Sequence, residues 1–109
     1  MVVDSGTTSH ISTKDDATYF VYTGEPSTKN FKVANGNTQA ATEKRLLPYQ
    51  LRPEAMDVHV SPGIVTSSLL STGKLAHADY TTILSNGKVE IYDATKTKIT
   101  TSMEPIISG

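Results

Sequence analysis

Short runs of apolar and β-branched residues, each ended by Gly, Pro, Asn or Asp, dominate the chain. Runs of this length with alternating polarity are typical of strands. They lie at residues 1–3, 18–22, 31–33, 38–47, 56–60, 81–84, 88–92 and 99–101. Asn35-Gly36 and Asn86-Gly87 separate two pairs of these runs, and such dipeptides favour the type I′ turn of a β-hairpin, whose central positions need positive φ. The pattern predicts an all-β domain.

One segment, residues 67–78, has a helical pattern. Thr66 or Ser67 is a suitable N-cap, and Gly73 costs such a helix about 1 kcal/mol relative to Ala, so the helix depends on packing. Its buried side would consist of three leucines, Leu69, Leu70 and Leu75. The predicted fold class is therefore all-β with one short helix in the C-terminal half, followed by a frayed tail from Glu104-Pro105.

Charged and histidine side chains give further expectations. Glu43-Lys44-Arg45 predicts that its strand lies at a solvent-facing edge of a sheet. Alternation along residues 56–60 places His59 on the polar face of its strand. The spacing of His10, His59 and His77 is not that of a metal site, so neither a metal nor another cofactor is expected.

Composition limits the class of protein. A chain of 109 residues suits a single domain, and an apolar fraction of 37% with 6% aromatics predicts a marginal monomer that a second copy would stabilise. The net charge of −1 without like-charge runs predicts neither a nucleic-acid nor a membrane partner. The absence of Cys excludes disulfides, thiolate catalysis and Cys-based zinc sites. We expect a soluble, cytoplasmic protein.

The segment with the clearest chemical content follows the first predicted strand. Val2-Val3 leads into Asp4-Ser5-Gly6 and then Thr7-Thr8. A strand fixes the depth of a carboxylate, the Gly lets backbone approach closely, and amide groups hold the carboxylate in place. Asp-Ser-Gly is also ordinary turn chemistry, and Asp-[Ser/Thr]-Gly arises by chance in roughly one chain in twenty of this length. The tripeptide alone is therefore a weak sign of an aspartic protease.

Aspartic protease chemistry requires two carboxylates that share one proton. The chain has a single Asp-Ser-Gly tripeptide and is too short to hold a second lobe. A twofold homodimer would bring Asp4 of one subunit to Asp4 of the other. This hypothesis makes Asp4 half of a catalytic site.

Two motifs together resemble the copia-type retrotransposon protease, a retropepsin-like family. The first is Asp4-Ser5-Gly6-Thr7-Thr8-Ser9-His10, in place of an Asp-Ser-Gly-Ala-[Thr/Ser]-x-His-like motif. The second reads Val60-Ser61-Pro62-Gly63-Ile64-Val65-Thr66-Ser67-Ser68-Leu69-Leu70-Ser71, in place of a Val-Pro-Gly-Leu-x-x-Asn-Leu-Leu-Ser-like segment that leads into a helix. The resemblance covers nearly the whole chain and implies a homodimeric acid protease barrel. It also implies cleavage of the chain's own polyprotein, with virus-like particles as one location.

The resemblance assigns roles to individual residues. Asp4 would be the catalytic carboxylate, and Ser5, Gly6 and Thr7 would support the dyad. The hairpin around Asn35, Gly36 and Asn37 would be the flap that closes over the substrate. Ile64 and Val65 would pack behind the active-site loop.

Differences from the family pattern keep other readings open. Thr7 replaces the usual Ala, Thr66 replaces the usual Gly, and residues 41–45 lack the Gly-x-Gly of a flap. Only three residues precede Asp4 where relatives have a strand, which predicts a domain trimmed at its N-terminus. The alternatives are an inactive protease-like remnant that serves as a structural or dimerisation module, and a single lobe of a pepsin-type enzyme.

Overall fold

A computed structural model of the chain describes residues 2–33, 36–85, 88–99 and 107–108. The strands are β1 (Val2–Asp4), β2 (His10–Ser12), β3 (Val21–Pro26), β4 (Asn30–Lys32), β5 (Thr38–Ala40), β6 (Glu43–Leu46), β7 (Asp57–Val60), β8 (Leu69–Ser71), β9 (Thr81–Ser85), β10 (Lys88–Tyr92) and β11 (Ile107–Ser108). One α-helix, α1 (Thr72–His77), and two 3-10 helices, Asp15–Tyr19 and Pro53–Ala55, complete the fold. The predicted class, mostly β with one short helix, is confirmed.

Seven strands form the main sheet in the order β11-β1-β8-β2-β7-β6-β3. β1 runs parallel to both β8 and β11, and β2 runs parallel to β7. The other neighbours are antiparallel. Among the described strands the sheet is open, with β11 and β3 at its edges, so the expected closed barrel is not present there.

The two predicted hairpins are confirmed as strand pairs. β4 pairs with β5, and β9 pairs with β10, each in antiparallel register. Gly36 has a φ of +88°, which suits the turn that the Asn-Gly signal predicted. Asn35, Asn86 and Gly87 lie outside the described residues.

Strands contribute alternate residues to the core, because successive side chains point to opposite faces of a sheet. Along β10, Val89 and Ile91 are fully buried while Glu90 between them is half-buried, as the period of two requires. These two residues join a core cluster with Phe20, Leu47, Leu51, Ala55, Val58, Leu70, Leu75, Ala78 and Tyr80. The cluster draws on both halves of the chain, so residues distant in sequence share one core.

The predicted strand at residues 18–22 is wrong over its first half. Residues Asp15–Tyr19 form a 3-10 helix, and β3 begins only at Val21. The Asp16 amide donates to Thr13 Oγ1 at 3.1 Å, which satisfies a backbone donor locally. Such a side-chain bond offers the backbone an alternative to a strand ladder.

The helix is shorter than predicted and begins later. Leu69–Ser71 forms β8 instead, in register with β1, with Val3 opposite Leu70 and Asp4 opposite Ser71. Long-range pairing therefore overrides the local helical pattern. The N-cap is Ser71, whose Oγ accepts the Lys74 amide at 3.0 Å, rather than Thr66 or Ser67.

The end of α1 is a Schellman motif without glycine. Asp79 has a φ of 68°, and its amide donates to Ala76 O at 3.0 Å. The Tyr80 amide reaches back to Leu75 O at 3.0 Å. Asp is among the few residues that tolerate this left-handed conformation, so the helix stops where no Gly signalled it.

Two expectations about exposure are also wrong. β6, which carries the charged run, lies between β7 and β3 rather than at an edge, because charged side chains can extend past a half-buried backbone. His59 is 8% exposed, since β7 is covered on both faces. Its Nδ1 pairs with Ser27 Oγ at 2.8 Å, and its ring contacts Phe31 at 5.9 Å between centroids.

The predicted frayed tail contains a strand. Ile107 and Ser108 pair with Val2 and Val3 in β1, so residues 107–108 add an edge to the main sheet. Within the part of the chain that the structure describes, no helix has the length and apolarity needed to cross a membrane.

Candidate active site

Asp4 ends β1 at the point where the chain leaves the sheet. Its backbone stands opposite Ser71 of β8, and its side chain is half-buried. The Gly6 amide donates to Asp4 Oδ1 at 2.7 Å. A charge-assisted bond of this kind orients a carboxylate. The predicted hydrogen bond from a backbone amide to the Asp4 carboxylate is thus present within one chain.

A hydroxyl-stabilised turn follows Gly6. Thr7 Oγ1 donates to Ser9 O at 3.1 Å and accepts the Ser9 amide at 3.3 Å. Ser5 is exposed. The local sequence therefore shapes the turn through Thr7 and leaves Ser5 on the surface.

Ser71 fastens this loop to the rest of the fold. Its Oγ donates to Thr7 O at 2.6 Å, and its amide donates to His10 Nδ1 at 3.0 Å. The same Oγ caps α1 through Lys74. One buried serine therefore joins β8, the helix and the loop that carries Asp4.

His10 is fully buried beneath the loop, and both of its ring nitrogens are paired. Nε2 lies 2.8 Å from Ala55 O. A carbonyl only accepts, so Nε2 carries the proton and Nδ1 is the acceptor for Ser71. Burial lowers the pKa of His10 to about 4, with Lys74 adding to the effect, while the Ala55 hydrogen bond opposes it. His10 is therefore a neutral structural group.

The sequence alone indicated no role for His10 or Ser71. These two partners are 61 positions apart, so no local pattern connects them. The signals were that the first family motif carries a histidine at the position of His10 and that the second ends in a serine at the position of Ser71.

A cleft of about 560 Å³ opens in front of Asp4. Four segments line it: the end of β1 with its following loop, β2 through Ile11, β4 with its flanking residues, and the chain leading into β8. Its lining residues are Asp4, Gly6, Thr7, Thr8, Ser9, Ile11, Lys29, Asn30, Phe31, Lys32, Val33, Ile64, Thr66, Ser67 and Leu69. The volume is that of a ligand site, and the lining combines apolar side chains with a few polar groups.

Comparison of the chain with protein-family models, curated proteins and solved structures gave no match.

The hairpin β4–β5 borders the cleft through its first strand. Residues 29–33 line the cleft, whereas Gly36 and Asn37 lie exposed at the tip of the hairpin. Ser61 Oγ donates to Ala40 O at 3.0 Å and ties the base of the hairpin to the end of β7. The assignment of Gly36 and Asn37 as substrate contacts stays a prediction.

The two residues of the apolar pair, Ile64 and Val65, differ in their exposure. Ile64 is half-buried and lines the cleft, but Val65 is 82% exposed. The expected packing of both behind the loop is thus absent from a single chain, because their segment runs along the cleft mouth. Val65 is available to contact another molecule.

The chemistry open to this cleft is that of a carboxylate. Of the described residues that line it, Asp4 is the one acid, and Lys29 and Lys32 are the cations. The described residues contain no group of three His, Cys, Asp or Glu side chains placed to hold a metal ion. Acid–base catalysis by paired carboxylates would need a second Asp4 from another copy of the chain.

Proposed function

We propose that the chain is one subunit of a homodimeric aspartic endopeptidase of the retropepsin type. The observation that carries the proposal is the position of Asp4, half-buried and bonded to the Gly6 amide on the floor of a 560 Å³ cleft. The exposed Ser5 next to it is suited to a contact between subunits. Two copies related by a twofold axis would place the two carboxylates side by side.

The proposed reaction follows from the shared proton of the dyad. Two carboxylates about 3 Å apart cannot both ionise, so one Asp4 is charged and the other is protonated. The charged one takes a proton from water, and the resulting hydroxide adds to the peptide carbonyl carbon. The protonated one gives its proton to the carbonyl oxygen. Collapse of this gem-diol intermediate breaks the C–N bond. The first Asp4 gives its newly gained proton to the leaving amine, and the second takes a proton from a hydroxyl of the intermediate, which restores the dyad.

The shape of the cleft favours an extended peptide as substrate. β4 borders the cleft and could offer backbone groups to a strand-like peptide, while Ile11, Phe31 and Leu69 supply apolar contacts. We propose segments of the chain's own polyprotein as substrates.

The first test is the dependence of cleavage on chain concentration. We expect the rate of cleavage of an unfolded protein pool to rise with the square of chain concentration below the dimer dissociation constant, because the active species contains two chains. Sedimentation velocity on the same samples gives the dimer fraction. A rate linear in concentration where sedimentation finds monomer would reject a dyad built from two chains.

The charge of the cleft predicts a preference for acidic peptides. Lys32 is exposed on β4 at the cleft, so Lys32→Glu should lower kcat/KM about threefold for a peptide with Glu beside the cleaved bond, as expected for one exposed charge pair. The matched change Lys96→Glu, on a surface turn, should have no effect. An equal loss of kcat/KM by Lys32→Glu for a peptide with Glu and for a peptide with Lys beside the cleaved bond would show that charge does not select the substrate.

A second candidate is a dimerisation module without catalysis, and the exposed Val65 favours it. An apolar side chain that is 82% exposed is suited to an interface whether or not cleavage occurs. Dimers in sedimentation together with no cleavage of the protein pool at any concentration would favour this candidate.

A further inference from the structure

We propose that His10 and Ser71 are the positioning residues of Asp4, and that only neutral His10 holds the active-site loop in place. The effect on cleavage rests on the proposed function. The effect on the geometry of the loop, residues 5–9, does not.

Ser71 holds the loop at two points. Its backbone is paired with Asp4 in the β1–β8 register, and its Oγ holds Thr7 O at 2.6 Å. The intervening Ser5 and Gly6 are exposed, and the Gly6 amide bonds the Asp4 side chain at 2.7 Å. The position of Ser71 therefore decides where the loop turns and where the Gly6 amide meets the Asp4 carboxylate.

His10 in turn fixes Ser71 from below. Its ring spans from Ala55 O, on a 3-10 helix, to the Ser71 amide. Neutral His10 has one donor and one acceptor, and both are used. A proton on Nδ1 would set one N–H group against another, so the bond to Ser71 would be lost. The ring would then be charged, buried and without an acceptor on that side.

The charges around His10 act in both directions. Lys74 of α1 and His59 of β7 oppose a positive ring, whereas Asp57 of β7 favours it. Burial is the largest influence and brings the pKa of His10 from 6.5 to about 4. The unfolded chain therefore binds the proton more readily than the folded one. Neutral His10 therefore contributes fully to the free energy of unfolding above pH 6.5, and this contribution is lost as the pH falls toward 4.

The experiment follows the loop directly by NMR. In the wild-type protein near pH 7, a long-range ¹H–¹⁵N spectrum should show His10 with Nε2 protonated and Nδ1 bare. As the pH falls through about 4, the Gly6, Thr7 and Ser71 amide signals should shift together with the ring of His10. A proton found on Nδ1 at neutral pH, or loop amides that stay fixed while His10 titrates, would overturn the proposal.

Variants of His10 and Ser71 test whether the position of the loop affects cleavage. His10→Gln keeps a donor and an acceptor without a titrating group, so its loop amides and its kcat should lack the change near pH 4. Ser71→Ala should lower kcat roughly ten- to a hundredfold with a much smaller change in KM, as a small misplacement of a reacting group does. His77→Gln, at an exposed position of α1, should behave as the wild type.

The outcomes separate the two proposals. A pH profile of kcat that is the same in His10→Gln and the wild type would reject the positioning role, even if the variant is less stable. Absence of cleavage by the wild type would reject the protease, while the NMR titration would still decide whether His10 controls the loop.

Discussion

Asp4→Asn is expected to abolish cleavage and to leave both the fold and the dimer intact. Asn has the same shape, and its Oδ1 can still accept the Gly6 amide, which bonds Asp4 at 2.7 Å. It cannot take a proton from water. Loss of a general acid–base group lowers rates by about 10²- to 10⁴-fold, and here the substitution removes both members of the proposed dyad, so we expect the upper end or beyond. The measurement is kcat/KM on a peptide cleaved by the wild type.

Two controls define the Asp4 result. Asp15→Asn makes the same change at an exposed residue of the first 3-10 helix and should leave kcat/KM unchanged. A tethered dimer that carries Asp4→Asn in one copy only should be as inactive as the dimer substituted in both copies, because the mechanism needs both carboxylates. Full activity in the singly substituted dimer alone would mean that one Asp4 suffices for catalysis. Full activity in the singly and the doubly substituted dimers would mean that Asp4 is not catalytic.

Leu70→Ala is expected to cost about 2–5 kcal/mol in the free energy of unfolding. Leu70 is fully buried in the core cluster and stands opposite Val3 in the β1–β8 pairing. Removing its side chain leaves a cavity behind the strand that carries Asp4, and neighbouring residues can close such a cavity only in part. Urea unfolding followed by circular dichroism gives the change, read at constant m-value.

The matched control is Leu84→Ala on β9. Leu84 is 41% exposed, so the same chemical change should cost well under about 1 kcal/mol. Similar losses for the two variants would contradict the placement of the core. Because a domain of this size is stable by only about 5–15 kcal/mol, Leu70→Ala should also lower the yield of folded protein.

The parts of the fold that follow from local chemistry were predictable from the sequence. Both hairpins and the strand before Asp4 were correct, because turn residues and alternation act over a few positions. The start of the helix was wrong because Leu69–Ser71 pairs with β1, which is distant in sequence. His59 was placed on a polar face because a strand covered on both sides cannot be recognised from alternation alone.

In the candidate site, too, contacts between near neighbours were predictable and contacts between distant elements were not. The Asp4–Gly6 bond and the Thr7 turn are contacts between near neighbours; the tripeptide predicted the first, and the family resemblance implied the second. His10, Ser71 and the cleft lysines were missed, since their contribution depends on which distant elements the sheet brings together. The assignments of Ser5, Gly36 and Asn37 depend on a second chain or a substrate and stay predictions.

The bond from Ser71 to Thr7 has a consequence for the order of folding. Its partners are separated by 64 positions, and the bond from Ser71 to His10 spans 61. Contacts at such separations form late, because the chain between them must first be ordered. During synthesis Asp4 leaves the ribosome before Ser71, so its loop gains these bonds only after Ser71 has emerged. The carboxylate proposed for catalysis would thus emerge before the bonds that hold its loop can form.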